Sequence, residues 1–216
     1  MILVLGPTAA GKTTFSRTLC KRFSKRGRGC FFTVSEPFGG PAYILLTVLS
    51  LITRYMYGNV RLLFSLKKPA QLENANPRLL GKLLPLLILL DFLSIVLRYI
   101  IFRVVEKAGF IVVVEDGIIQ ALLDHMYMVK RYARSNKWAM HIIKLESKIF
   151  YKIIINKYNI CIVLYTNKQK RTKRAKERRD TPIFAVGFYN EVIRLSLPLY
   201  LCKLINNKIT YISLEI

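Results

Sequence analysis

The chain has 216 residues, of which 53% are hydrophobic, so we expect one domain with a large core and exclude an intrinsically disordered chain. Lysine and arginine number 35 against 12 aspartates and glutamates. The formal charge of +23 favours anionic partners: nucleotides, nucleic acid or an anionic membrane surface. The four cysteines have no C-x-x-C spacing, which predicts reduced, mostly buried thiols in a cytoplasmic protein. They are Cys20, Cys30, Cys161 and Cys202.

A glycine-rich segment near the start of the chain carries the clearest chemical signal. Residues 6–13 match the pattern G-x-x-x-x-G-K-T, between a predicted strand at 1–5 and a predicted helix at 14–25. In this arrangement backbone N–H groups bind phosphates, Lys12 reaches the β- and γ-phosphates, and the Thr13 hydroxyl ligates Mg²⁺. ATP and Mg²⁺ are therefore the expected cofactors. The predicted nucleotide-binding residues are Gly6, Pro7, Thr8, Ala9, Ala10, Gly11, Lys12, Thr13 and Thr14.

The second predicted strand, residues 30–35, leads into Glu36 and a loop dense in glycine and proline. Loops at the carboxyl ends of parallel strands line the ligand crevice of an open α/β sheet. Glu36 is therefore a candidate site residue, and the alternative is a solvated loop acid.

The middle of the chain is rich in predicted helix. Residues 43–57 and 60–66 have helical character, and the polar stretch that follows predicts a loop or insertion around residues 60–80. Residues 78–107 predict a long helix, or a helix pair broken near Pro85. Charges interrupt the apolar runs before any of them reaches roughly 18 residues, so no transmembrane span is predicted.

A run of β-branched residues at 110–114 predicts a central parallel strand, which leads into Glu115 and Asp116. Carboxylates at this position bind Mg²⁺, orient its waters or accept a proton from the attacking group. For Asp116 the alternative is an N-cap of the next helix. The predicted magnesium ligands are Thr13, Glu115 and Asp116.

Two further predicted helices, residues 118–132 and 138–155, precede a buried strand at 159–165. They carry the two histidines of the chain, His125 and His141. Each is isolated in the sequence and is interpreted as structural.

A strongly basic segment, residues 168–182, follows that strand directly. On a helix, Arg171, Arg174 and Arg178 would share one face and close over phosphates as a catalytic lid, because arginines stabilise a transferring phosphoryl group. The alternative is a solvated or nucleic-acid-binding helix. The predicted catalytic residues are Lys12, Asp116, Arg174 and Arg178.

The remaining residues predict a helix at 183–204, interrupted near Pro198, and a strand at 208–216. Strand and helix thus alternate about five times along the chain. This alternation predicts an α/β fold: a single domain, residues 1–216, with a three-layer, doubly wound parallel sheet of about five strands.

The order of these motifs resembles the thymidylate kinase-like branch of the P-loop nucleoside monophosphate kinases. The resemblance implies a P-loop kinase-type fold and transfer of the ATP γ-phosphoryl group to a nucleotide or another small acceptor. Dimers are widespread in that family, so the resemblance also points to a homodimer. The matching positions are Glu36-Pro37 near the acceptor, Asp91 before the third strand, Asp116 after it, and the lid cations Arg174, Arg178 and Arg179.

The sequence departs from that family at three positions. Phe92 and Gly117 occupy the places of two arginines that follow the matching aspartates, and Thr8 that of an acidic loop residue. Arg98 or Arg103 could replace a missing acceptor arginine. The predicted acceptor residues are Glu36, Asp91 and Arg98. The glycine-rich segment is also similar to that of tRNA prenyltransferases, but the Asp-Ser pair and aromatic motif of that family are missing.

The leading hypothesis is therefore an ATP-dependent kinase. One alternative is a nucleic-acid-associated NTPase or polynucleotide kinase, which the charge of +23 favours. Another is a nucleotide-binding protein with a decayed catalytic set, which Phe92 and Gly117 favour.

Overall fold

The computed structural model describes residues 1–35, 44, 47–48, 77–157, 160–177, 187, 189–197, 200 and 209–213, without the side chains of 77–80, 153–157, 189–190 and 209–213. Several sequence predictions lie outside these residues. They are Glu36, Arg178, Arg179, most of the helices at 43–57 and 60–66, and the insertion around 60–80 up to residue 76.

In the described part of the chain, strands and helices alternate, and a short π-helix follows the last α-helix. The elements are β1 Ile2–Leu5, α1 Lys12–Lys25, β2 Cys30–Val34, α2 Pro77–Lys107, β3 Ile111–Glu115, α3 Gly117–Tyr132, α4 Lys137–Lys157, β4 Ile160–Tyr165, α5 Lys168–Glu177, the π-helix Tyr189–Ser196 and β5 Ile209–Ser213. The predicted helix at 183–204 is described only where the π-helix lies.

The strands form one parallel sheet in the order β2-β3-β1-β4-β5. β1 lies in the centre, where Val4 is opposite Glu115 of β3 on one side and Ile162 of β4 on the other. The chain therefore builds the sheet outwards from β1 in both directions, and the crevice at the carboxyl ends of such strands is where α/β sheets bind ligands. The predicted α/β class and parallel sheet are confirmed.

Helices cover both faces of the sheet because the central strands are apolar on both sides. Ile2 and Val4 face α1, which packs Phe15, Leu19 and Phe23 against them. Leu3 and Leu5 face the opposite layer, which contains buried residues of α2, α3 and α4. The two layers hold the sheet rigid beneath the loops at its carboxyl edge.

Helix α2 is one continuous helix of 31 residues with Pro85 inside it, so the alternative of a broken helix pair is wrong. Its segment Gly81–Lys107 is long and apolar enough to cross a membrane, with a mean hydropathy of 2.2. It is the one helix of this kind among the described residues. Leu84, Leu87 and Ile95 on one side of it are buried in the core. That packing is the behaviour of a core helix.

The outer side of α2 is also apolar. Its exposed large hydrophobic residues are Leu86, Leu93, Leu97, Ile100, Ile101 and Val104. They recur at helical spacing and form one stripe along the surface. Such a stripe is unusual for a solvent-facing helix, which normally presents polar side chains there.

A disulfide joins Cys20 near the end of α1 to Cys30 at the start of β2, ten residues further along the chain. The expectation that all four thiols are reduced is therefore wrong for this pair. The pairing arises because the chain turns back after α1, so β2 runs beside the helix it follows. Cys161 is a buried thiol outside this disulfide, as predicted, and Cys202 lies outside the described residues.

Candidate functional site

The loops that follow β1 and β3 meet at the carboxyl edge of the sheet. The residues 6–13, hereafter the glycine loop, follow β1, and Glu115 and Asp116 end β3. The backbone N–H of Asp116 donates to the Val4 carbonyl, so the ladder between the two strands continues to the site. The sheet therefore places two carboxylates beside the glycine loop, as the sequence predicted.

The backbone of the glycine loop requires glycine at two of its positions. Gly6 has φ 148° and Gly11 has φ 89°, both in the region that favours glycine. A Cβ atom on Gly6 would lie 2.5 Å from the Leu164 carbonyl oxygen, so β4 leaves no room for a side chain. Ala9 also has a positive φ, of 63°. Left-handed residues of this kind shape backbone N–H groups into anion-binding concavities.

Lys12, the first residue of α1, folds back over the loop that precedes it. Its Nζ donates to the carbonyl oxygens of Gly6, at 2.9 Å, and Pro7, at 3.2 Å, and lies 3.4 Å from Asp116 Oδ1. The side chain is 6% exposed. The ammonium group is therefore held at the centre of the glycine loop, paired with the carboxylate that ends the neighbouring strand.

Asp116 occupies the N-cap position of α3, but its side chain makes no capping hydrogen bond. The carboxylate contacts two cations instead: Lys12 through Oδ1 and Arg194 Nη1 through Oδ2, at 3.2 Å. Its φ of 65° is a strained conformation for an aspartate and is typical of functional sites. Asp116 therefore does not cap α3 through its side chain, and its role in a site stays a prediction.

Arg194 is the residue of this site that sequence reasoning missed. It comes from the π-helix, and its second nitrogen, Nη2, lies 3.6 Å from Asp124 Oδ2 on α3. No local motif marks it, because the residues around it form an ordinary amphipathic pattern. The only signal available was its place on a helix after the basic segment.

Thr13 and Glu115 provide side-chain oxygen atoms of the kind that Mg²⁺ prefers as ligands. The Thr13 hydroxyl lies 2.9 Å from Glu115 Oε2 and 3.1 Å from Oε1. A hydroxyl and a carboxylate fit Mg²⁺ when phosphate oxygens and waters complete six ligands. Among the described residues, no group of three or more His, Cys, Asp or Glu side chains could hold a metal ion alone. Thr13 and Glu115, two of the three predicted ligands, therefore fit a metal that arrives with a nucleotide, and the role of Asp116 as a ligand stays a prediction.

The basic helix α5 meets the glycine loop through one of its arginines. Arg174 Nη1 donates to the Ala9 carbonyl at 3.4 Å, and the Thr166 hydroxyl, just before α5, donates to the Ala10 carbonyl at 3.2 Å. Arg171 behaves differently: it is fully buried and pairs with Glu191 of the π-helix at 2.5 Å. The expectation that Arg171 and Arg174 share a phosphate-facing side is therefore wrong for Arg171.

A pocket with a volume of about 320 Å³ lies beside the glycine loop and the end of β3. Seven residues of the glycine loop and the start of α1 line it, from Thr8 to Thr14. The other lining residues are Val34, Glu115, Asp116 and Arg194. The pocket therefore combines two cations, two carboxylates and a helix N-terminus, which together suit a polyphosphate and its metal ion.

Two predicted acceptor residues do not line this pocket. Asp91 on α2 is fully buried; its carboxylate lies 3.0 Å from His125 Nε2 and 3.6 Å from Arg98 Nη2. The other ring nitrogen of His125 lies 2.8 Å from Glu146 of α4. These four residues, the closed ion cluster, connect α2, α3 and α4. Their acceptor role stays a prediction.

The closed ion cluster keeps its histidine charged. Burial by itself lowers the pKa of His125, but the charge and hydrogen bond of Glu146, together with Asp91, outweigh burial and raise that pKa to about 10. Burial also raises the pKa of Glu146, and His125 opposes the rise. An imidazolium held between two carboxylates supports the structural interpretation of His125.

No protein-family model matches the chain. No curated protein matches it at a significant level of similarity.

Proposed function

We propose that the protein is an ATP-dependent phosphotransferase with a P-loop kinase-type fold, similar to the thymidylate kinases. One observation carries the proposal: Lys12, Thr13, Glu115 and Asp116 meet around a single pocket of about 320 Å³. Phosphoryl transfer needs positioning and charge stabilisation more than covalent chemistry from the protein. The pocket offers both.

Each side chain has a role that follows from its position. Lys12 moves from the loop carbonyls to the β- and γ-phosphates, whose charge is stronger than that of its present partners. Thr13 and Glu115 hold Mg²⁺, which neutralises phosphate charge when bound. Asp116 orients the metal's waters or the attacking group, and Arg174 adds positive charge from α5.

The acceptor is proposed to be a nucleotide or another small molecule that enters beside Asp116. Asp91 and Arg98 lie in the closed ion cluster, outside the pocket lining, so they would act on an acceptor only after a rearrangement. Val34 lines the pocket, and the acceptor role of Glu36, two residues further along the chain, stays a prediction. A cytoplasmic location, where ATP is abundant, and a homodimer belong to the same proposal, although the Cys20–Cys30 disulfide removes the argument for that location from reduced cysteines.

The test is an assay of ADP release across nucleosides, nucleoside monophosphates and short oligonucleotides, with Lys12→Ala as the control. We expect ADP release that depends on one acceptor class, and at least a 100-fold loss in Lys12→Ala, since one lost transition-state cation costs about 100- to 1,000-fold. Equal turnover in the two proteins would contradict the proposal.

Binding of nucleic acid by the same region is the second candidate. The observation that favours it is the exposed lysines of α5, which lie on the helix that reaches the glycine loop through Arg174. These lysines are Lys168, Lys170, Lys173 and Lys176. Association should weaken steeply with salt because phosphate contacts release counterions. Absence of RNA and DNA binding at low salt would exclude this candidate.

A further inference from the structure

Arg194 lies in the pocket, yet no step of phosphoryl transfer described above requires it. Its side chain is 11% exposed and bridges two carboxylates, Asp116 at 3.2 Å and Asp124 at 3.6 Å. Asp124 also accepts a hydrogen bond of 2.7 Å from Gln120. The guanidinium is therefore held in one orientation, with its charge directed at Asp116.

Lys12 cannot serve its present partners and a nucleotide at once. Its ammonium group now balances the Asp116 carboxylate, which is 3% exposed. When phosphates draw Lys12 away, a buried carboxylate loses one of the two cations beside it. A buried charge without a partner is strongly unfavourable, so an unassisted Asp116 would hold Lys12 back.

We propose that Arg194 is a positioning residue that releases Lys12 to the phosphates by keeping Asp116 compensated during nucleotide binding. The inference rests on the proposed nucleotide site and adds a residue that no motif in the sequence indicates. In this role Arg194 acts through Asp116 and does not itself contact the nucleotide.

The π-helix that carries Arg194 is built to hold it in place. One turn earlier, Glu191 pairs with the buried Arg171 of α5, so the π-helix is fixed to the basic helix at one side and to Asp116 and Asp124 at the other. π-Helical turns are rare and often lie at functional sites. Through the π-helix, α5, which contacts the glycine loop, is also connected to the Asp116 carboxylate.

The experiment measures the affinity of the full-length protein for a fluorescent ATP analogue with Mg²⁺. We expect Arg194→Gln to weaken binding about tenfold or more, as lost charge-assisted hydrogen bonds do. Adding Asp116→Asn to it should restore most of the affinity, because no carboxylate then retains Lys12. Arg194→Lys should fall between the wild type and Arg194→Gln. The matched control is Arg131→Gln, which removes an exposed arginine of α3 that bonds Tyr127.

The possible outcomes distinguish a failure of this inference from a failure of the proposed function. Unchanged affinity in Arg194→Gln overturns the inference, and so does an equal loss in Arg194→Gln and the double variant, because Arg194 would then act without Asp116. Thermal unfolding of each variant shows whether a loss of affinity comes from misfolding. The inference is supported, and the kinase proposal overturned, if the protein binds the nucleotide and Asp116→Asn restores the affinity lost in Arg194→Gln, but no phosphate is transferred to any acceptor. No binding by the wild type overturns both.

Discussion

Two clusters of buried charged side chains in the described residues differ in their access to the pocket. The pocket cluster is Lys12, Glu115, Asp116 and Arg194, which line a pocket of about 320 Å³, together with Asp124, which pairs with Arg194 but does not line the pocket. The closed ion cluster joins three helices away from it. Lys12 and Asp116 line the pocket, whereas His125 pairs with two carboxylates and does not line it. Both clusters bury charge, so access to the pocket is the property that distinguishes them.

The largest effect on stability is expected from His125→Ala in the closed ion cluster. The substitution leaves Asp91 and Glu146 facing each other in the core, and breaking a buried pair costs about 3–5 kcal/mol. Urea denaturation should show this loss, while His141→Ala, an exposed position on α4, should change the free energy of unfolding by less than about 0.5 kcal/mol. Equal stability of His125→Ala and the wild type would contradict the structural role.

The comparison predicts different effects on turnover for two conservative substitutions. Asp116→Asn should lower kcat by about 100-fold or more, near 2.7 kcal/mol, and should also lower the free energy of unfolding because Lys12 and Arg194 lose a buried partner. Glu146→Gln should lower the free energy of unfolding and leave kcat nearly unchanged, because Glu146 does not line the pocket. If kcat falls in proportion to stability in both variants, the distinction between the two clusters is wrong.

The disulfide should stabilise the side of the sheet that carries the pocket. Closing a loop of ten residues contributes about 2.7 kcal/mol through the entropy of the unfolded chain. Replacing Cys20 and Cys30 by serine should remove that amount, measured by chemical denaturation under non-reducing conditions. Dithiothreitol should lower the stability of the wild type and leave the double variant unchanged. A wild type that is insensitive to reduction would rule out the contribution.

The pH dependence of stability gives the most specific test of the closed ion cluster. His125 has an ordinary pKa of 6.5 in the unfolded chain and about 10 when folded, so its contribution is complete below pH 6.5 and is lost as the pH rises towards 10. Between these values the folded state binds more protons than the unfolded chain, so the free energy of unfolding should fall as the pH rises. Urea denaturation at pH 7, 8 and 9 measures the slope.

Two variants serve as controls for the change of the free energy of unfolding with pH. His141→Gln should keep it, because His141 is exposed. Glu146→Gln should end the fall at a lower pH, since Glu146 raises the pKa of His125. A free energy of unfolding that stays constant from pH 7 to 9 in the wild type would contradict a charged His125.

Sequence reasoning predicted the parts of the site that depend on local pattern. The apolar β1, the glycine loop and α1 are adjacent in the chain, and β3 ends at Glu115 beside that loop because parallel strands end at one edge. Arg194 could not be predicted in the same way. It reaches Asp116 from 78 residues further along the chain, and only the packed π-helix brings them together.

The same limit explains the charged core. His125 is isolated in the sequence because its partners, Asp91 and Glu146, lie 34 and 21 residues away on other helices. The structural role of His125 was predicted because isolated histidines are usually structural, but no sequence pattern indicated that it would join an ion cluster. The disulfide was missed for a different reason: spacing rules recognise C-x-x-C pairs, whereas this pair depends on how the chain turns between α1 and β2.

The central position of β1 sets the order in which this protein can fold. Ile2 pairs with Val113 and Ile160, so β1 is synthesised more than 100 residues before either of its neighbouring strands and is late to gain both. At roughly 5–20 residues per second, that delay is on the order of 10 s, during which a short apolar strand stays unpaired. Long-range parallel pairing also slows folding. We therefore expect yield in expression to respond more to chaperones and low temperature than to changes at the pocket.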